Sequence, residues 1–220
     1  MANEKTSKLT LSAMFAAMAY LLMAIGRIPI TSVDFLKYDP KDVILAIAGF
    51  VLGPLPALSI TAVVALIEML TVSTTGPIGL LMNILSSAAF VCPAALIYRR
   101  RHSQRGALIG LGAGVVCMVA LMLLWNYFIT PLYMGYPREA VAAMLPTVFL
   151  PFNLVKSLLN AAITVLIYKP VSRALKSAGL MAQSATAVKP AHRSAVGAAL
   201  IAALVLASCV FAALIMRGVL

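Results

Sequence analysis

The chain has 220 residues, 63% of them apolar and only 10% charged, against about 45 to 50% and about 25% in a soluble globular domain; that excludes an ordinary water-soluble fold. The net charge of +11 would suit nucleic acid in a soluble protein. Here the basic residues sit mostly in short loops between apolar segments, where they set orientation across a membrane, so no nucleic-acid partner is expected.

An apolar helix of about 20 residues crosses the hydrocarbon layer because all its backbone donors and acceptors are satisfied within the segment. Segment 1 is predicted at about 8–25, and the Lys5 and Lys8 before it make it resemble a signal peptide. Its long apolar run has no small-residue cleavage site before the next polar stretch, so it is expected to be retained. The loop at 27–42 carries two prolines and three aspartates. Segment 2, about 43–52, is too short to cross alone, and Gly53-Pro54-Leu55-Pro56 stops it, predicting a hairpin with segment 3 at about 57–72. The chain breaks at Ser73-Thr74-Thr75-Gly76-Pro77 before segment 4, about 78–98, which is followed by Arg99, Arg100, Arg101 and Arg105. Segment 5 is predicted at about 106–129, a polar loop at 130–139, and segment 6 at about 145–168, with Lys169, Arg173 and Lys176 after it.

If every segment crosses, Lys5, Lys8, the four arginines after segment 4 and the three basic residues after segment 6 share one side. That side is expected to be cytoplasmic, with the N-terminus on it, in a multi-pass protein of the cell membrane. The loops at 27–42, 73–77 and 130–139 are then external. The expected organisation is all-α: a six-helix membrane domain at 1–177, a small and polar linker at 178–193, and an additional transmembrane helix within 194–220.

Several functions lack their residues. No GxxxxGK[ST], HExxH or GxSxG string occurs, and the two histidines, His102 and His192, fall in predicted loops. ATP binding by a P-loop is therefore excluded, and an intramembrane enzyme is the weaker reading. No matching pair of broken segments marks an inverted-repeat transporter. Cys92, Cys117 and Cys209 lie singly in apolar runs and read as small buried hydrophobes, so neither metal nor cofactor is expected.

The strings Lys37-Tyr38-Asp39-Pro40-Lys41-Asp42, Gly76-Pro77-Ile78-Gly79 with Asn83, Asn126-Tyr127-Phe128 and Pro151-Phe152-Asn153-Leu154-Val155-Lys156 resemble, in order and position, the riboflavin-specific S subunits of energy-coupling factor transporters. The resemblance covers about residues 8–177. It implies a six-helix membrane protein with an outward pocket for riboflavin, a related flavin or another vitamin, docking on a transmembrane coupling subunit driven by two ATPase subunits.

An isoalloxazine ring presents two flat apolar faces and a uracil-like polar edge, which calls for apolar walls and a few fixed donors and acceptors. Asn126 near the outer end of segment 5, and Asn153 and Lys156 three residues apart on segment 6, suit that edge, and the resemblance assigns them ligand contacts. Interhelical asparagines also act as glue, and a lysine near a helix end also snorkels to the headgroups. Asn83, Tyr38, Asp39 and Glu68 join the candidate binding set. Asp42 reads better as an N-cap of segment 2. Glu68, the lone acid of segment 3, is expected to face water, to meet a base such as Lys156, or to be protonated. Trp125, Tyr127, Phe128 and Tyr133 read as an interfacial aromatic belt. Ala13 and Ala17 form a small-xxx-small pair, which in the resembled family is a docking surface for the coupling subunit. The same spacing in Gly106, Gly110 and Gly114 reads as internal packing.

Overall fold

The computed structural model describes residues 2–31, 33, 36–177 and 192–217. It is a helical bundle: α1 (Ala2–Gly26), α2 (Lys41–Leu52), α3 (Pro54–Thr71), α4 (Gly76–Arg100), α5 (Gln104–Phe128), α6 (Thr130–Met134), α7 (Arg138–Met144), α8 (Leu150–Ser177) and α9 (His192–Met216). A minimal hairpin of β1 (Ile28–Pro29) and β2 (Lys37–Tyr38), pairing Ile28 with Tyr38, folds the first loop back on itself. Among the described residues, six stretches are long and apolar enough to span a membrane, namely 5–26, 54–71, 76–100, 104–128, 138–175 and 199–216. The chain is thus an all-α multi-pass membrane protein. Residues 178–191 of the expected linker lie outside the described residues, while 192 and 193 already belong to α9.

The short second segment occupies the middle of the bundle. At about 1.5 Å per residue, α2 is about 18 Å long, and Lys41 to Phe50 are all buried. It packs on α1, α3, α4 and α8, so its continuous apolar run is explained by burial on every side rather than by contact with lipid. Gly53 turns the chain directly into α3 at φ +95°, a conformation that a side chain would strain. Pro54, lacking an N–H, starts α3 at a position where none is needed.

Close approach joins α4 to α5. A Cβ on Gly110 would lie 2.7 Å from the Ala94 carbonyl oxygen, and one on Gly114 would meet the Phe90 carbonyl. Gly106 differs from these two: its crowding comes from Arg101 in the preceding turn, so only two of the three glycines serve helix packing. Departures from expectation also occur elsewhere. The polar loop at 130–139 is largely helical, as α6 and the start of α7, and a π-helical turn, Leu145–Phe149, runs α7 into α8. Cys209 is buried as expected, but Cys117 is exposed on the outer face of α5 and Cys92 is half-buried; an apolar membrane exterior accepts a thiol without burial in protein. Of the aromatic belt, Phe128 and Tyr133 are exposed, whereas Trp125 packs against the core.

Candidate functional site

A cavity opens at the end of the bundle where the first loop, the α3–α4 turn, the end of α5 and the start of α8 meet. Its lining includes Arg27, Leu36, Lys37, Asp39, Val72, Thr74 and Thr75 from the connections, Met82, Asn83 and Ser86 from α4, Met122 and Asn126 from α5, and Phe152, Asn153 and Lys156 from α8. Its empty space, counting the open mouth and the solvent within it, is about 670 Å³. Five candidates from the sequence, Asp39, Asn83, Asn126, Asn153 and Lys156, thus converge on one cavity. Met82, Met122, Phe152 and Leu36 supply apolar walls between them.

Two candidates lie a layer deeper. The Tyr38 hydroxyl donates to Asn160 Oδ1 at 3.0 Å, and Asn160 Nδ2 approaches Asp42 Oδ2 at 3.4 Å. Glu68 is wholly buried between Lys41, 2.5 Å from its Oε2, and Arg27, 3.0 Å from its Oε1. Its partners are therefore not Lys156, and it faces neither water nor the cavity. Lys156 instead meets Asp39, with Nζ 3.6 Å from Oδ2, and Lys41 reaches the same oxygen at 3.7 Å. Asp42 is not an N-cap either: Pro40 holds that position without a side-chain bond, and Asp42 accepts from Ser87 Oγ at 2.5 Å inside the bundle. Burial removed Asp42 from the solvent-facing helix end where a cap works, and made a hydroxyl on α4 its partner.

Arg27, Lys41 and Lys156 thus pair with Asp39 and Glu68 in one largely buried cluster at the floor of the cavity, and Asp42 beside them accepts from Ser87 and Asn160. Desolvated ions persist only when paired and hydrogen-bonded. Burial alone would raise the Asp39 carboxyl; Lys156, Lys41 and Arg27 more than offset it and hold its pKa below the usual carboxylate value. Tyr38 is pushed up, first by burial and then by Asp39 and Asp42, so it stays a hydrogen-bond donor.

The cluster leaves specific valences unused. Among the described residues, Asp39 Oδ1 and Arg27 Nε are buried without a partner. The amides of Asn126 and Asn153 each donate to a carbonyl one turn back, Met122 and Phe149, at 2.7 Å, and Asn126 Oδ1 accepts from Thr130 at 2.9 Å. Asn153 Oδ1 and the ammonium of Lys156 remain available toward the cavity, which therefore offers acceptors and donors side by side among apolar walls.

Sequence reasoning missed Lys41, Arg27 and Asn160. Asn160 stands two turns from Asn153 on the same face of α8, so that periodicity was a signal for it; Lys41 lies inside the quoted loop motif; Arg27 gave none beyond its position after segment 1.

Comparison with known proteins decides the family. The model of the ECF transporter, substrate-specific component, matches residues 7–171. The chain belongs to that family. It is 28% identical over 174 residues to the riboflavin transporter FmnP of Bacillus subtilis (strain 168), covering 74% of this chain and 91% of that one. It is 28% identical over 180 residues to the riboflavin transporter RibU of Staphylococcus aureus (strain TCH60), covering 79% and 94%. Among solved structures, the S component of a bacterial ECF transporter superposes with a TM-score of 0.67 at 26% identity, over 78% of this chain and 99% of that one. In this S component the family match ends within α8 and leaves α9 beyond it.

Proposed function

We propose that this S component captures riboflavin from outside the cell for an importer powered by ATPase subunits on other chains. The observation that carries the reading is the convergence of Asn126, Asn153 and Lys156 with Asp39 and Asn83 around one apolar-walled cavity. The ring's flat faces lie against Met82, Met122 and Phe152, and its alternating carbonyl and N–H edge meets the amides, the lysine and the unpartnered Asp39 oxygen. The likeness to two riboflavin transporters supports the same ligand. Tyr38 and Glu68 act from beneath, by holding Asn160 and Lys41.

The domain at 1–177 carries this activity, with the linker at 178–193 and the helix within 194–220 as additions. The cavity end is external, and the basic end, with Arg99 to Arg101 and the N-terminus, is cytoplasmic. Ala13 and Ala17 are both exposed on α1, where small side chains let a partner helix approach closely; this is the docking surface for the coupling subunit, which bears two ATPase subunits.

Titration of riboflavin by quenching of its fluorescence on the purified protein tests the ligand. Saturable quenching that excess thiamine does not reverse supports the assignment, and silence with riboflavin overturns it. Ala13→Trp or Ala17→Trp should abolish co-purification with the coupling subunit and leave flavin affinity unchanged; intact co-purification removes α1 as the docking face.

A further inference from the structure

Away from the vitamin cavity, toward the basic end, a second opening lies between α5, α8 and α9. Leu108 and Gly112 of α5, Ala162 and Val165 of α8, and Ile201 and Val205 of α9 line it, and the whole lining consists of glycine, alanine, valine, leucine and isoleucine. Its empty space, counting the side open to the membrane, is about 750 Å³. Nothing lies within 4 Å of where a Cβ on Gly112 would stand. An apolar void of this size inside a protein forfeits dispersion contacts, and next to a bilayer hydrocarbon fills it.

The crevice is crowned by charge. Arg105 stands one turn from Leu108 and two from Gly112, on their side of α5, and Lys169 and Arg173 continue the Ala162–Val165 stripe of α8 by one and two turns. The Lys169 Nζ lies 3.4 Å from Gln104 Oε1, which brings the basic ends of α5 and α8 together at the foot of the crevice. No Asp or Glu occurs between Glu68 and Glu139, or anywhere after Glu139, so no acid on these segments neutralises the three cations.

We propose that the crevice seats an acyl chain of an anionic phospholipid from the leaflet on the basic side, with its phosphate against Arg105, Lys169 and Arg173. The apolar slot supplies depth and the crown selects the headgroup, since a basic residue near the membrane surface favours an anionic lipid by an amount equivalent to about fivefold in affinity. Because α9 forms one wall, the helix beyond the family match completes the site.

The test is native mass spectrometry of the full chain in detergent, titrated with dioleoyl phosphatidylglycerol or dioleoyl phosphatidylcholine, with riboflavin binding followed in parallel. Phosphatidylglycerol should be retained in preference to phosphatidylcholine. Arg105→Gln and Lys169→Gln should each reduce its retention about fivefold, and Gly112→Leu should displace it by filling the slot. Flavin affinity should not change in any variant, since the vitamin cavity is at the other end of the helices. Equal retention of the two lipids, displacement of the lipid by inorganic phosphate alone, or full retention by Gly112→Leu would overturn the proposal. If the protein proves not to bind riboflavin, the lipid result stands separately.

Discussion

The two ends of this bundle place charged residues under opposite physics. At the cavity end, Lys41, Lys156, Asp39, Asp42 and Glu68 are each less than 10% exposed, and Arg27 is tied to them through Glu68. At the other end Arg99, Arg100, Arg101, Arg105 and Arg173 are exposed, and no acid lies on their segments. In the buried cluster each charge is individually indispensable, because removing it strands its partner in a low-dielectric interior. In the exposed set water screens each charge, so the loss of one strands no partner and leaves the fold intact, while their sum biases orientation.

That contrast is sharpest at Lys41. Lys41→Met leaves Asp39 and Glu68 short of a cation and should destabilise the fold by about 3 to 5 kcal/mol, read as a large fall in melting temperature. Adding Glu68→Gln restores the balance and should recover more than half of the loss. A double variant no more stable than the single one would mean that packing, not charge balance, governs this layer.

Smaller effects are expected in the cavity itself. Asn126→Ala, Asn153→Ala or Lys156→Ala leaves polar ligand groups unpaired, at about 1 to 3 kcal/mol each, hence roughly 5- to 150-fold weaker flavin binding. If the asparagines are interhelical glue, melting falls first and affinity survives; if Lys156 only snorkels, Lys156→Arg leaves affinity as it was. Titration beside a melting curve separates these outcomes.

Acid should act late on the buried end. A carboxylate with a depressed folded pKa gives stability that is complete above its unfolded value, about 4, and is lost as pH falls through the folded one. The contribution of Asp39 should therefore be unchanged from pH 7 to 5 and disappear only below about 4, as read from melting temperature against pH. Weakening already at pH 6 would place Asp39 outside the ion pairs. The smallest effect belongs to the exposed end: Arg100→Gln should leave melting and flavin affinity unchanged, and a cysteine there should resist impermeant labelling from outside intact cells. Labelling would reverse the orientation.

How much of this was legible depended on the range of the signal. Spans and charge asymmetry are local, and the helices follow them. Asn126, Asn153 and Lys156 were readable because they share an end, and two of them a helix face. The partner of Glu68 was not: Lys41 is 27 residues away and Arg27 is 41, and only the descent of α2 into the centre of the bundle brings them together. Asp42 misled for the same reason, since a carboxylate at a helix start is a cap in water but a buried acceptor when that start is enclosed.

The π-helical turn Leu145–Phe149 gives the long outer helix a phase. Such a turn closes through i→i+5 bonds and so holds one residue more than an α-helical turn, and one residue is about 100° of rotation. Val141 before it, Phe149 at its end and Phe152 after it belong to one buried cluster with Tyr38 and Cys209. That agreement across the turn depends on the inserted residue. Removing one residue here, for instance the exposed Thr147, would leave a continuous helix that swings Val141 out of the cluster while Asn153 and Lys156 keep their aim. The segment before the turn and the pocket face after it can in this way be re-indexed separately along a single rod.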